Sequence, residues 1–147
     1  MAYPTERRLE VFEILNKIAN AKEDKERVAI LKQYSEVMYL RDVLQGTFDP
    51  AIQWNLPEGT PPYTPNEESS TPSSLARHHR KFKYFVKGLS DSERLNKIKR
   101  ERMFIEILEA VHHQDASILV SMINKTSPVN VLTVKIVKEA LPDLIRD

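Results

Sequence analysis

The chain contains no cysteine and only three glycines, Gly46, Gly59 and Gly88. The absence of cysteine excludes disulfide scaffolds, thiol catalysis, iron–sulfur clusters and every zinc site with cysteine ligands. The glycines lie too far apart to form a GxGxxG or GxxxxGK phosphate-binding loop. No apolar run approaches the ~18–20 residues that cross a bilayer, and the polar start MAYPTERRLE lacks a signal-peptide core. These absences disfavour most cofactor enzymes and predict a soluble domain of the intracellular type, without a cofactor or a membrane contact.

The 147 residues suffice for one ordinary domain, which at this length can fold without a metal or a disulfide. Hydrophobic residues make up 41% of the chain and charged residues 29%, close to the average of globular proteins. We therefore predict a single helical domain over residues 1–147. Within it we expect a helical hairpin (1–46), a proline-rich segment and loop (47–71) and a helical core (72–147).

Apolar residues recur at helical spacing along most of the chain, and no convincing period-two strand appears. The pattern predicts helices over residues 5–19, 20–45, 72–87, 91–113, 115–123 and 133–141. The β-branched residues between Val129 and Val137 are compatible with one short strand. The predicted fold class is all-α: a single-domain helical bundle of about five to six helices, with a proline-rich extended segment packed across it.

Residues at the predicted helix ends match known capping patterns. Thr71 before a proline, Ser90 with Glu93 three residues on, and Asp115 are the expected N-caps. Gly46 and Gly88 are the expected left-handed stops at helix C-termini.

The four histidines form two adjacent pairs, His78-His79 and His112-His113. Neighbours on a helix point about 100° apart, so neither pair can chelate one ion as an i,i+4 pair does. A metal would need both pairs, or a carboxylate such as Asp115, brought together by folding. We predict no metal site and expect His112 and His113 to stabilise the carbonyls at a helix end.

No catalytic set can be assembled from the sequence. The serines lie in polar loops or caps, and no Gly-x-Ser-x-Gly turn exposes a nucleophile. Glu106 and Glu109 interrupt the apolar stretch MFIEILEAV at i,i+3. As a buried pair they could act in general acid–base catalysis, but such a pair is more often the solvent-facing stripe of a central helix. We predict that the protein is not an enzyme.

Residues 77–102 carry ten Lys or Arg against three Asp or Glu, a net +7, although the whole chain is only +1. Residues 1–76 carry −4 and residues 103–147 carry −2. α-Helical geometry places Arg77, Arg80 and Lys87 along one face and points Lys83 elsewhere. The candidate patch for a polyanion or an acidic partner consists of Arg77, Arg80, Lys81, Lys87, Arg94, Lys97 and Arg100. Three hypotheses stay open for it: nucleic-acid phosphates, with nearby aromatics to stack on bases; an acidic protein; or plain solvation.

Proline interrupts helix and strand formation between Thr47 and Thr71, yet this segment contains large apolar side chains. Trp54, Leu56 and Tyr63 form a candidate partner-binding strap. An extended backbone restrained by proline can dock in the groove of another protein at low entropic cost. It can equally pack on its own domain, and we favour that interpretation. The tract 66–71 is predicted to be a surface loop.

Several stretches of the second half form a recognisable set. They are KYFVKG (83–88), RMFIEILEAV (102–111), DASIL (115–119), LTVKIVKEALPDLI (132–145) and the middle tract LPEGTPPYTPN (56–66). The chain thereby resembles an uncharacterised family of small proteins encoded by T4-like tailed phages, most strongly over residues 81–145. Two features depart from that family: the turn 127–130 lacks the usual Lys-Gly, and Leu141 replaces an aromatic residue. The resemblance implies a phage protein in the cytoplasm of an infected bacterium, and it implies no activity or site residue.

Two classes of function follow. The first is a non-enzymatic adaptor that binds a phage or host protein, and the aromatic strap favours it. The alternative is a small nucleic-acid-binding accessory protein that uses the basic segment 77–102. Self-association of the chain stays open under either.

Overall fold

A computed structural model describes residues 8–66 and 71–146. These residues are mostly helical and contain no strand. The elements are α1 (Val11–Asn20), α2 (Asp24–Gln33), α3 (Met38–Phe48), α4 (Leu75–His78), a 3₁₀ helix (His79–Phe85), α5 (Ser90–Glu93), α6 (Lys97–Ala110), α7 (His113–Ile123) and α8 (Val134–Ala140). The predicted start of the first helix at residue 5 and the loop residues 67–70 lie outside the described residues.

Apolar side chains from along the described chain form one core cluster in which α7 is central. α7 packs against α1, α3 and α6, and α2 packs against α8. α1 shows why these helices assemble, because its buried residues Val11, Ile14, Leu15 and Ile18 share one face.

The helix predicted over residues 20–45 is divided into α2 and α3. The interruption has a specific partner, since the Arg41 guanidinium donates to the backbone carbonyl of Ser35 at 3.1 Å. It also changes which side chains face the core. Met38, which the continuous pattern placed inside, is 56% exposed, whereas Tyr39 and Leu40 are buried.

Gly46 is not a left-handed helix stop, because α3 continues through it to Phe48. Its lack of a side chain serves packing instead. A Cβ atom at this position would lie 2.5 Å from Cζ2 of Trp54 and 2.9 Å from Sδ of Met122. Gly46 thus allows the indole to approach the helix closely.

The helix predicted over residues 72–87 is α-helical for a single turn. Ser74, not Thr71, caps it by accepting the Ala76 N–H at 3.1 Å. The chain then tightens into the 3₁₀ helix, in which residues three apart share a face. Its inward face carries Phe82 and Phe85. Gly88, with φ of 92°, adopts the left-handed conformation expected of it.

The helix predicted over residues 91–113 is also divided, into α5 and α6. Glu93 does not close a capping box with Ser90, because its carboxylate accepts the Gly88 N–H at 2.9 Å. The N-cap of α6 is Asn96, whose side chain accepts the Lys99 N–H at 2.8 Å.

The N-cap of α7 is His112, not Asp115. Its Nδ1 atom accepts the Gln114 N–H at 3.1 Å. His112 therefore joins the C-terminus of α6 to the start of α7, and its predicted role at terminal carbonyls stays a prediction. The last helix begins as predicted, with Thr133 capping α8.

Candidate binding surfaces

The extended segment after α3 is held against the rest of the domain. Its backbone pairs with the end of the 3₁₀ helix through Asn55 N–H to the Phe85 carbonyl (2.6 Å) and Lys87 N–H to the Gln53 carbonyl (2.7 Å). The indole N–H of Trp54 donates to the carbonyl of Gly46 at 2.9 Å. All three strap residues, Trp54, Leu56 and Tyr63, are half-buried against the core cluster.

The ammonium group of Lys125 binds backbone carbonyls at the end of α3 and just after it. Lys125 Nζ donates to the carbonyls of Gly46 (2.8 Å), Asp49 (2.8 Å) and Ile52 (2.9 Å). Burial lowers the pKa of Lys125, and the nearby Asp49 opposes that effect. The carbonyls at the C-terminus of a helix favour a cation, so Lys125 stabilises the end of α3, where the Gly46 carbonyl also accepts the indole N–H of Trp54. No feature of the sequence around Lys125 indicates this role.

Arg100, like Lys125, holds the extended segment in place and is not part of the exposed basic surface. Its Nε donates to the carbonyl of Asn55 at 2.8 Å. One terminal nitrogen donates to the carbonyl of Ser92 in α5 (3.1 Å) and to that of Leu95 between α5 and α6 (2.9 Å). Arg100 is half-buried, and its guanidinium joins the extended segment to the α5–α6 connection.

The other six candidate basic residues are exposed: Arg77, Arg80, Lys81, Lys87, Arg94 and Lys97. None of them forms an ion pair with an acidic side chain of the described residues. Nearby, Lys83 lies 4.0 Å from Asp91. The basic segment thus keeps most of its positive charge available to solvent.

Lys83 points differently from the prediction. The α-helical wheel separated it from Arg80, but in a 3₁₀ helix residues at i and i+3 are eclipsed. Arg80 and Lys83 therefore share a face, and both line a groove between α3, the 3₁₀ helix and the indole of Trp54. We call this cavity, of about 220 Å³, the Trp54 groove.

A histidine–carboxylate pair lies in the Trp54 groove. His79 Nδ1 and Asp42 Oδ2 are 2.5 Å apart, so the ring donates Nδ1–H to the carboxylate. Sequence reasoning missed this pair because the two residues are 37 positions apart.

A second groove lies between the proline-rich segment and α6. It has a volume of about 230 Å³ and is mostly apolar. Residues 56–58 and 60–62 form one side, and Glu101, Phe104 and Ile105 of α6 form the other. We call it the α6 groove. Of the strap residues, Leu56 lines it.

Glu106 and Glu109 are both exposed, so they do not form the buried pair that acid–base chemistry would need. Glu109 has a structural partner instead, since its Oε2 atom accepts the Thr64 N–H at 2.7 Å. Its backbone carbonyl accepts from the Asn66 side chain at 3.3 Å. Glu109 therefore helps to hold the end of the proline-rich segment on α6.

Ser73 and His78 are hydrogen-bonded, with 2.9 Å between Oγ and Nε2. Lys81 Nζ lies 3.5 Å from Nδ1 of the same ring, and an ammonium can only donate. Nδ1 then accepts and Nε2–H donates to Ser73, which leaves no lone pair to take the serine proton. Burial, Lys81 and Arg77 lower the pKa of His78. Among residues 8–66 and 71–146, no group of three or more His, Cys, Asp or Glu could hold a metal ion.

Asp115 is fully buried between α1 and α7, which the sequence did not indicate. Its Oδ1 atom accepts the Phe12 N–H at 2.9 Å, while Oδ2 is buried without a hydrogen bond. Burial raises the pKa of Asp115 to about 7, and the charges of Glu10 and Glu13 add to that effect.

The model of a family described only as a family of unknown function (DUF6433) matches residues 14–127, a range that includes every residue lining the two grooves. No curated protein matches the chain. In the part of the chain that the structure describes, no helix combines the length and apolarity needed to cross a membrane.

Proposed function

The chain belongs to this family of unknown function, and we propose that it is a non-enzymatic accessory protein that binds another protein through the α6 groove. The resemblance to small proteins of T4-like tailed phages supports placing it in the cytoplasm of an infected bacterium. Its partner would then be a phage or host protein.

The α6 groove carries the proposal because of its size and chemistry. Its volume of about 230 Å³ is below the ~300–1,000 Å³ typical of small-molecule sites. A cavity of that size suits one or two apolar side chains of a partner, the usual form of an interface anchor. Phe104 and Ile105 supply apolar surface, while Glu58 and Glu101 supply negative charge. The arrangement favours an apolar anchor next to a Lys or Arg.

The surface continues along α6 beyond the groove. Ile98 is 71% exposed and lies seven residues before Ile105, so both fall on one face of the helix. Lys97 and Arg102 flank Ile98 and make no ion pair with the described residues. Exposed branched aliphatic side chains beside an apolar groove are typical of protein-binding surfaces.

Affinity purification from infected cells tests this proposal. We expect Ile98→Asp to reduce recovery of the partner at least tenfold without a change in melting temperature, because Ile98 is exposed. Val134→Asp is the matched control, since Val134 is an exposed apolar residue of α8, outside the groove. Equal recovery with both variants would overturn the proposal.

A second candidate is the nucleic-acid-binding accessory protein. The observation that favours it is that six of the seven candidate basic residues are exposed and form no ion pair with an acidic side chain in residues 8–66 and 71–146. Treatment of the same purification with nuclease separates the two candidates. A partner retained after nuclease supports protein binding, and recovery that depends on nucleic acid supports the alternative.

A further inference from the structure

We infer that the Trp54 groove binds a nucleotide, with the phosphate on Arg80 and Lys83 and the base against the indole of Trp54. The inference does not rest on the proposed function, because the Trp54 groove and the α6 groove share no residue.

The two cations are fixed on one face by the backbone. The 3₁₀ helix eclipses Arg80 and Lys83, and its inward face is anchored in the core by Phe82 and Phe85. Both cationic side chains are exposed and both line the groove. The Lys83 ammonium, which lies 4.0 Å from Asp91, would exchange that contact for the phosphate. A guanidinium and an ammonium one turn apart are suited to the oxygens of one phosphate group.

His79 adds a third polar group with a defined orientation. Asp42 accepts its Nδ1–H, which fixes the orientation of the ring. Nε2 of His79 makes no hydrogen bond to the described residues. It is not buried either, so it reaches solvent. A ring held at Nδ1 can present Nε2 to a ligand in the groove.

The indole of Trp54 forms a rigid apolar wall. It is held by the hydrogen bond to Gly46 and by an edge-on contact with Phe82, with ring centres 6.2 Å apart. Nucleobases stack on aromatic side chains irrespective of sequence. The groove volume of about 220 Å³ holds far more than a water molecule of ~30 Å³, but it is below the ~300–1,000 Å³ typical of sites that enclose a whole small molecule. The groove would therefore take only the base, and the phosphate would lie outside it on the exposed side chains of Arg80 and Lys83.

Trp54 is the only tryptophan of the chain, so its fluorescence reports on this groove alone. We would titrate the full chain with adenosine 5′-monophosphate, adenosine, inorganic phosphate and a short oligothymidylate. We expect saturable quenching by the monophosphate that weakens as salt increases. The variant Arg80→Ala/Lys83→Ala should bind at least tenfold more weakly. Lys22→Ala/Lys135→Ala removes the same charge from exposed residues outside the groove and should bind normally.

The other ligands identify the source of the nucleotide. Quenching by the monophosphate without displacement by the oligothymidylate assigns a free nucleotide, and displacement assigns a unit of a single strand. The inference is overturned if no nucleotide quenches Trp54, if adenosine binds as tightly as its monophosphate, or if both double variants lose affinity equally.

Discussion

Asp115 illustrates how one side chain can link two helices at a cost. It lies in the first turn of α7, and its single side-chain hydrogen bond to the described residues, from the Phe12 N–H, joins α7 to α1. Glu10 and Glu13 of the adjoining α1 segment face it, and the Tyr39 hydroxyl nearby donates to the Leu9 carbonyl. A carboxylate surrounded by burial and like charge is favoured in its protonated form.

The stability of the fold should therefore depend on the protonation of Asp115. Its pKa is raised from the ordinary 3.8 to about 7 in the folded chain. The folded state binds the proton more tightly than the unfolded state, so stability is greatest below the ordinary pKa and falls as pH rises through about 7. Asp115→Asn cannot ionise and keeps an oxygen for Phe12. Its free energy of unfolding relative to wild type should rise by up to about 4 kcal/mol between about pH 4 and about pH 8.

Urea unfolding of both proteins across that range measures the effect. The two proteins differ only at position 115. The pH dependence of the difference in their free energies of unfolding therefore reports on the Asp115 carboxyl together with its interaction with Glu10 and Glu13. A difference between the two proteins that does not change with pH would show that Asp115 is ionised throughout.

At the scale of elements, two cationic side chains join helices to the extended segment. Lys125 donates hydrogen bonds to three backbone carbonyls between Gly46 and Ile52. Arg100 donates to the carbonyls of Asn55, Ser92 and Leu95. Buried carbonyls that lose their donors cost free energy, because water cannot replace those bonds inside the fold. The geometry of both grooves depends on this segment, since Trp54 lines one and Leu56 lines the other.

We predict that Lys125→Met lowers the free energy of unfolding by about 2–4 kcal/mol, since three acceptors lose a charged donor while the aliphatic volume is kept. Lys135→Met changes an exposed lysine of α8 and should have little effect. Urea unfolding followed by Trp54 fluorescence provides the measurement. Equal stability of the two variants would mean that Lys125 does not hold the segment.

The elements that sequence reasoning predicted well are those whose ends are set locally. The start of α8 follows from Thr133, and the extent of α7 from a short apolar pattern. The predicted long helices are wrong where a side chain, and not the apolar pattern, binds the backbone. At the α5–α6 interruption the Arg100 guanidinium donates to the carbonyls of Ser92 and Leu95, and it also donates to the distant carbonyl of Asn55, a role that periodicity does not reveal.

The candidate basic surface was also predictable only in part. Exposure of the basic residues follows from composition and pattern, and six of the seven are exposed. Two changes to the basic surface were not predictable. Arg100 is not part of it, because its guanidinium binds the extended segment, and Lys83 shares a face with Arg80, because this stretch is a 3₁₀ helix. Asp42 and His79 meet only after folding.

At the scale of the whole molecule, a nearly neutral chain presents two different surfaces. The α6 groove is apolar with acidic side chains, and the Trp54 groove is lined by exposed cations beside an aromatic wall. A net charge of +1 conceals this division, because the acidic residues lie mainly outside residues 77–102. Two surfaces of unlike chemistry suit a small protein that contacts more than one ligand.

The most direct test of protein binding through the α6 groove is site-specific photocrosslinking in infected cells. A photoreactive phenylalanine at position 98 should form one discrete nuclease-resistant adduct with a second protein, since Ile98 is exposed beside the groove. The same group at position 134, on the exposed side of α8, should form none. The account is contradicted if position 98 forms no adduct, or if both positions give the same products.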